Sequence, residues 1–251
     1  AQHLAALAHL MRLPMAEVWE VASFYDHFPL VKEGEMPPPA RTIRICTSLS
    51  CMMAGANQLL AEAKKLKDPE VQFIAAPCLG ACDTAPAIAD GHTLIGQHDL
   101  AGIKQSIAKP AMKTRLDSFI DFDAYRAAGG YQLVEALQAG RADKEGLMAE
   151  LGKAELRGLG GAGFPTGRKW QIVASYAGPR LMAVNGDEGE PGTFKDRLYL
   201  SSDPHRMIEG VLIAGHLVGI DKAFLYIRDE YPEIIAALRG ELAKVEKAGL
   251  A

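Results

Sequence analysis

The chain lacks most of what a membrane, secreted or nucleic-acid-binding protein needs. No apolar run in the 251 residues reaches the length of a bilayer span. Its 27 Lys and Arg stand against 31 Asp and Glu, giving a net charge of -4. The pI is near 6.0, and no basic stripe appears, which excludes a nucleic-acid binder. Repeats and low-complexity segments are absent. No charged-then-apolar leader follows Ala1, so no signal peptide is expected. Cysteine is scarce too, at 4 residues. Neither pair of them is C-x-x-C, which disfavours a dithiol redox motif, and a disulfide framework is not expected in a chain with no other secreted character. The expected location is cytoplasmic.

What is present fits two cores. The length and a hydrophobic content of 49% suit two domains better than one. The cysteines form two pairs, Cys46-Thr-Ser-Leu-Ser-Cys51 and Cys78-Leu-Gly-Ala-Cys82. Four thiolates so spaced can ligate an iron–sulfur cluster or zinc. Arg41 to Ile45 alternates as a strand that delivers Cys46. Met52 to Leu66 predicts a helix with Leu59, Leu60, Ala63 and Leu66 on one side, and Val71 to Ala75 predicts a strand ending at Pro77-Cys78. Upstream, Leu4, Leu7, Leu10 and Met11, then Met15, Val18, Trp19, Ala22 and Tyr25, form two stripes at helical spacing, expected as a packed arm. The 7 His show no metal-ligand spacing beside a carboxylate.

The second informative region is Gly158-Leu-Gly-Gly-Ala-Gly-Phe-Pro-Thr-Gly-Arg-Lys-Trp170. Gly158, Gly160, Gly161 and Gly163 leave backbone N–H groups free to converge on an anion, and Lys169 is placed to reach the same anion. The pattern contains G-x-G-x-x-G, but Lys144 to Leu156 reads as helix and turn, so no buried strand leads into it and an ordinary Rossmann unit is not expected. Asn185-Gly-Asp-Glu-Gly-Glu-Pro-Gly-Thr-Phe-Lys-Asp-Arg197 follows, rich in amides and carboxylates. Together these stretches suit a phosphorylated cofactor with a polar edge: a dinucleotide, a flavin mononucleotide, or both. Arg180 to Val184 is expected as a buried strand, Met207 to Val218 as a helix and Lys222 to Ile227 as another strand, which gives an α/β fold.

These two motifs closely resemble the FMN- and NADH-binding subunit of respiratory complex I. That module recurs in the diaphorase parts of NAD-reducing hydrogenases and NAD-dependent formate dehydrogenases. Leu159 stands where complex I subunits usually carry Arg. The combination of Gly-Leu-Gly-Gly-Ala-Gly-Phe with Met182 to Glu190 is most similar to the β subunit of metal-dependent, NAD-linked formate dehydrogenase. The resemblance implies that Gly160, Gly161 and Lys169 hold FMN and the adjoining NADH phosphates. It further implies that Asn185, Asp187 and Glu188 bond the ribityl chain and ring edge. Phe164 would stack on the nucleotide, and Glu190 would lie near the nicotinamide as the catalytic position.

The strand–helix–strand segment with a Cys pair on each loop resembles the thioredoxin-like [2Fe-2S] ferredoxins, with Ala85-Pro86 after the second pair. The implied ligands are Cys46, Cys51, Cys78 and Cys82. The expected layout is a helical arm over 1–36, a thioredoxin-like domain over 37–109, a linker over 110–128 and an incomplete FMN/NAD domain over 129–251. The implied cofactors are a [2Fe-2S] cluster, FMN and NAD. A [4Fe-4S] cluster is expected in a C-terminal part that this stretch does not contain, since the chain reads as a fragment. The implied partner is a catalytic α subunit with a molybdenum or tungsten pterin and iron–sulfur clusters. The alternatives are a hydrogenase diaphorase or complex I module and, from another class, a non-catalytic adaptor stabilised by zinc.

Overall fold

The computed structural model describes residues 2–25, 28–96, 98–109, 116, 119–158 and 162–251. They form two compact units, one covering 1–113 with 189–193 and the other 114–188 with 194–251.

The first unit opens with two helices, α1 (Gln2–Met11) and α2 (Met15–Phe24). Pro14 separates them, because it has no N–H to donate and keeps Leu13 out of the helical region. Ala8, Val18 and Ala22 are buried, whereas Leu10 and Phe24 are 80% and 78% exposed. The arm is therefore packed along one seam only.

Next comes β1 (Arg41–Cys46), then α3 (Leu49–Met53), α4 (Ala56–Lys64) and β2 (Val71–Ala76). The single helix expected from Met52 to Leu66 is in fact α3 and α4, separated at Gly55, whose φ of 89° is left-handed. That break lets Cys51 of α3 turn inward while Leu59 and Ala63 of α4 face the sheet. A 3₁₀ turn at Cys82–Thr84 leads to β3 (Ile88–Asp90), β4 (Thr93–Leu94) and α5 (Leu100–Ala108). The sheet order is β2-β1-β3-β4. β1 and β2 are parallel, with Ile43 opposite Phe73, and β3 and β4 are antiparallel additions, with Ile45 opposite Ile88. Ile43, Ile45, Ile88, Ala56, Ala63 and Ile103 are fully buried between the sheet and its helices. Each buried Ile stabilises the unit by about 1.5–3 kcal/mol relative to exposure. Arg41 ties β1 to β3 through Asp90, with Nε donating to Oδ1 at 3.1 Å, and to α5 through Ile107 O at 3.0 Å. The hydrogen bond to Asp90 raises the guanidinium pKa further.

In the second unit, α6 (Phe122–Ala127) occupies residues assigned above to a linker. The reason is burial: Phe122 packs into the core with Tyr131, Val134, Ile208 and Tyr231. α7 (Gln132–Gln138), α8 (Lys144–Lys153) and α9 (Thr166–Ala174) follow. Then come β5 (Leu181–Gly186), α10 (Lys195–Ser202), α11 (Pro204–Val218), β6 (Lys222–Ile227) and α12 (Pro232–Lys247). β5 and β6 pair in parallel, with Ala183 opposite Phe224 and Asn185 opposite Tyr226. The expected buried strand is covered on one face only: Leu181, Phe224 and Tyr226 are 64%, 48% and 63% exposed. The helices of the unit supply cover for the other face.

A polar network sits inside this core. His205 is fully buried; its Nδ1 meets Tyr131 Oη at 2.7 Å and its Nε2 meets Glu241 Oε2 at 2.9 Å. Phe122 N–H donates to the same Glu241 oxygen at 2.8 Å. Such groups are tolerable in a core because each has a partner. Among the described residues no helix is long and apolar enough to cross a membrane.

Candidate functional site

The loops at the carboxyl ends of β1 and β2 carry the four cysteines. Cys46 is the last residue of β1 and Cys51 lies in α3. Cys78 follows β2, and Cys82 opens the 3₁₀ turn. Cys46, Cys51 and Cys78 are buried, Cys82 is partly exposed, and all four are free thiols. The second pair is close, with Cys78 and Cys82 Sγ 3.5 Å apart. A hydrogen bond from Cys78 draws the Cys46 thiol down to about 5. Sharing that proton with Cys46, together with burial, pushes Cys78 up. Burial is the main push on Cys51, to about 11.

The donor set tests which metal fits. A mononuclear zinc site would need all four thiolates on one ion. A [2Fe-2S] cluster asks instead for two ligands at each of two irons, which two cysteine pairs on neighbouring loops provide. The residues fit the binuclear group.

In the second unit the glycine-rich stretch is closed at its neck. Gly158 N–H donates to Phe164 O at 3.1 Å and Thr166 N–H to Leu156 O at 2.8 Å. Arg157 Nη1 donates to Gly163 O at 3.2 Å. Gly160 and Gly161 lie outside the described residues. The loop runs directly into the N-terminus of α9, where backbone N–H groups and the helix dipole favour an anion. Lys169 is exposed on the second turn of α9. Phe164 is 45% exposed, with the Arg168 guanidinium 5.9 Å from its ring centre. Gly167 serves packing: a Cβ there would stand 3.0 Å from Gly152 N, so glycine lets α9 press onto α8.

The acidic stretch starts at the end of β5. Asn185 Oδ1 accepts the N–H of Asp187 at 2.9 Å, an Asx turn that leaves Asp187 exposed. Gly186 lies against β6, where a Cβ would meet Ile227 Cδ1 at 2.6 Å. Glu188 is 1% exposed. It accepts the N–H of Asp196 on both oxygens at 3.1 Å and that of Arg197 at 3.2 Å. Arg228 Nη1 donates to the Glu188 carbonyl. The carboxylate thus satisfies the open amides of α10, as an anion at a helix N-terminus should. Lys195 pairs with Asp196 at 2.9 Å and Glu188 at 3.5 Å, which raises its pKa, Asp196 contributing most. Glu190 is exposed and starts a tight turn, its carbonyl accepting from Thr193 N at 3.2 Å.

Beside the carboxyl ends of β5 and β6 lies a cleft of about 620 Å³ lined by Val184, Asn185, Asp196, Tyr199, Arg206 and Ile227, among others. Of the residues marked in the sequence, it takes in Asn185. Tyr199 and Arg206 were not anticipated, since their only sequence signal is a polar residue on an otherwise ordinary helix.

With this geometry in place, the relatives are informative. Residues 1–110 match the family described as thioredoxin-like [2Fe-2S] ferredoxin, and residues 151–250 match the Nuo51 FMN-binding domain. The chain is similar to a subunit of the NADH-quinone oxidoreductase of Aquifex aeolicus, 43% identical over 143 residues, which is 57% of this chain and 32% of that one. It is 42% identical over 127 residues to a subunit of the NADH-quinone oxidoreductase of Rhizobium meliloti, 50% of this chain and 30% of that one. A crystal structure of an NAD⁺-reducing [NiFe]-hydrogenase in the air-oxidized state superposes with a TM-score of 0.77 at 27% identity, over 99% of this chain and 47% of that one. The chain spans about a third of the curated relatives it matches. It is an α/β protein in which a thioredoxin-like [2Fe-2S] ferredoxin domain is followed by a Nuo51-type FMN-binding domain.

Proposed function

We propose that this chain is the electron-transfer part of an NAD-linked oxidoreductase, acting between NAD(H) and iron–sulfur carriers. One observation carries the reading. A buried site of two cysteine pairs and a glycine-rich loop opening onto a helix N-terminus occur in one chain, in regions that match the two corresponding cofactor domains. When bound, FMN exchanges a hydride with NAD(H) and single electrons with the cluster.

The chain's own residues would bind and orient. Cys46, Cys51, Cys78 and Cys82 would hold the cluster. Gly160, Gly161, Gly163 and Lys169 would receive the phosphates of FMN and the adjoining nucleotide; Gly158, read above as a free donor, spends its N–H on the Phe164 carbonyl and would close the neck of that loop instead. Asn185 and Asp187 offer side chains to the ribityl chain and ring edge. Glu188 would act there mainly by fixing the loop, since its carboxylate is engaged with α10. Phe164, half exposed, offers a ring face to the nucleotide, and Glu190 would lie near the nicotinamide. Parallel rings held at contact distance are what hydride transfer requires of a protein.

The finer reading is the β subunit of a formate dehydrogenase, whose α subunit would carry a molybdenum or tungsten pterin. Gly158-Leu159-Gly160 together with Met182 to Glu190 supports it. The superposition on an NAD⁺-reducing hydrogenase favours a second reading, a hydrogenase diaphorase. A [4Fe-4S] cluster belongs to both readings, in the part of such proteins beyond this stretch. Four free thiols suit a reducing compartment, which supports a cytoplasmic location. The test is to purify the intact complex and identify the large subunit and its metal. Molybdenum or tungsten with formate-driven NAD⁺ reduction supports the first reading, nickel with hydrogen-driven reduction the second. A complex holding zinc, without flavin or iron, would overturn both.

A further inference from the structure

Cys51, Cys78 and Cys82 each accept a backbone hydrogen bond on sulfur. Cys51 receives Ala87 N–H at 3.4 Å, and Cys78 receives Gly80 N–H at 3.4 Å. Those donors, Gly80 and Ala87, lie within or just after the second cysteine pair. Cys82, the most exposed of the four, receives its bond from Gly192 N–H at 3.1 Å, 110 residues further along the chain.

The sequence of that donor explains why its N–H is free. Glu190-Pro191-Gly192-Thr193 has Pro at the second and Gly at the third position of a turn, the pattern of type II. Gly192 has a φ of 93°, and Thr193 closes the turn onto the Glu190 carbonyl through its N–H at 3.2 Å and its Oγ1 at 2.6 Å. The closing bond of such a turn uses the N–H of the fourth residue and leaves that of the third to point away. The turn therefore presents one backbone donor, and it is aimed at Cys82 Sγ.

We propose that the Gly192 amide sets the reduction potential of the cluster held by Cys82. This rests on the reading of the four cysteines as [2Fe-2S] ligands. Reduction adds one electron and moves no proton here. The added negative charge spreads onto the sulfurs, so an N–H pointing at a sulfur stabilises the reduced form and raises the potential. Gly192 is thus a positioning residue in the ferredoxin unit, supplied by the acidic stretch.

The experiment compares Gly192→Pro with Gly192→Asn in the intact complex. Proline removes the N–H and cannot adopt the positive φ. Asparagine keeps the N–H and is the residue, after glycine, that accepts this turn position. Its Cβ would stand 3.7 Å from Ser50 Oγ, an ordinary contact. Redox titration followed by the paramagnetic signal of the reduced cluster should show Gly192→Pro about tenfold harder to reduce, close to 59 mV for one electron. Gly192→Asn should stay near the wild type. Equal potentials in all three proteins, or equal shifts in both variants, would overturn the inference.

A second measurement does not depend on the proline variant folding. With isotopically labelled glycine nitrogen, pulsed paramagnetic spectroscopy of the wild type should show two glycine amides coupled to the cluster, Gly80 and Gly192. Gly192→Asn should lose one of them, and an unchanged spectrum would overturn the assignment of the donor. A wild-type complex with no paramagnetic cluster on reduction would instead overturn the reading of the cysteine site.

Discussion

The Glu188 carboxylate and the Asp196 amide are joined by two contacts of 3.1 Å, one to each oxygen, in a site that is 1% exposed. Removing the acceptor would leave the partly buried Asp196 and Arg197 N–H groups without their partner. Glu188→Ala is therefore expected to destabilise the second unit by about 1–3 kcal/mol, and Glu188→Gln by less, because one acceptor remains. Chemical denaturation checks this. Lower flavin content in Glu188→Ala at unchanged stability would show instead that the carboxylate meets the cofactor directly.

Each of Cys46→Ser, Cys51→Ser, Cys78→Ser and Cys82→Ser should weaken the visible absorption and the paramagnetic signal of the reduced cluster. Buried Cys46 and Cys51, both 1% exposed, should also lose stability, whereas Cys82 at the edge should be the mildest. Stoichiometric zinc without iron in the wild type, prepared anaerobically, would rule the cluster out.

The two cofactor regions were readable because their signals are local. Cys46 ends one alternating strand and Cys78 follows another, so the strand–helix–strand order and the cysteine loops come straight from short-range pattern. Phe122 shows the limit: its segment looks like a linker because only a distant core makes it a helix. Gly55 split an expected helix because a left-handed glycine interrupts an otherwise unbroken apolar stripe. The roles of Glu188 and Gly192 were hidden for another reason. Glu188 bonds amides eight and nine residues away, and Gly192 bonds a sulfur 110 residues away. Side-chain type carries no record of such a partner.

The flavin and nucleotide contacts separate by substitution in the complete subunit. Asn185→Ala and Asp187→Ala should lower FMN occupancy. Phe164→Ala should raise the KM for NADH while flavin stays bound, since a stacked ring contributes about 0.5–1.5 kcal/mol beyond its buried area. Lys169→Ala should weaken both. A diaphorase assay with an artificial acceptor, alongside flavin content, reads all four. Loss of FMN from Phe164→Ala with normal NADH affinity in the remaining holoprotein would reverse the two assignments.

The buried Glu241 makes the second unit sensitive to acid. Burial pushes its carboxyl pKa up, but hydrogen bonds from Lys244, the Phe122 amide and His205 outweigh it and hold the group below its ordinary 4.5. A carboxyl with a depressed folded pKa contributes stability that is complete above the unfolded value. That contribution is lost as pH falls through the folded value. The unit should therefore keep its stability from neutral pH down to about 4.5 and lose part of it below, as the proton enters the Glu241 site. Glu241→Gln should be less stable at neutral pH by about 1–3 kcal/mol, having lost the charge-assisted bonds. It should also lose less on acidification, because no carboxylate remains there to protonate. Urea unfolding at neutral pH and near pH 3 measures both terms. Parallel loss of stability in wild type and Glu241→Gln would mean that other carboxylates govern the acid response.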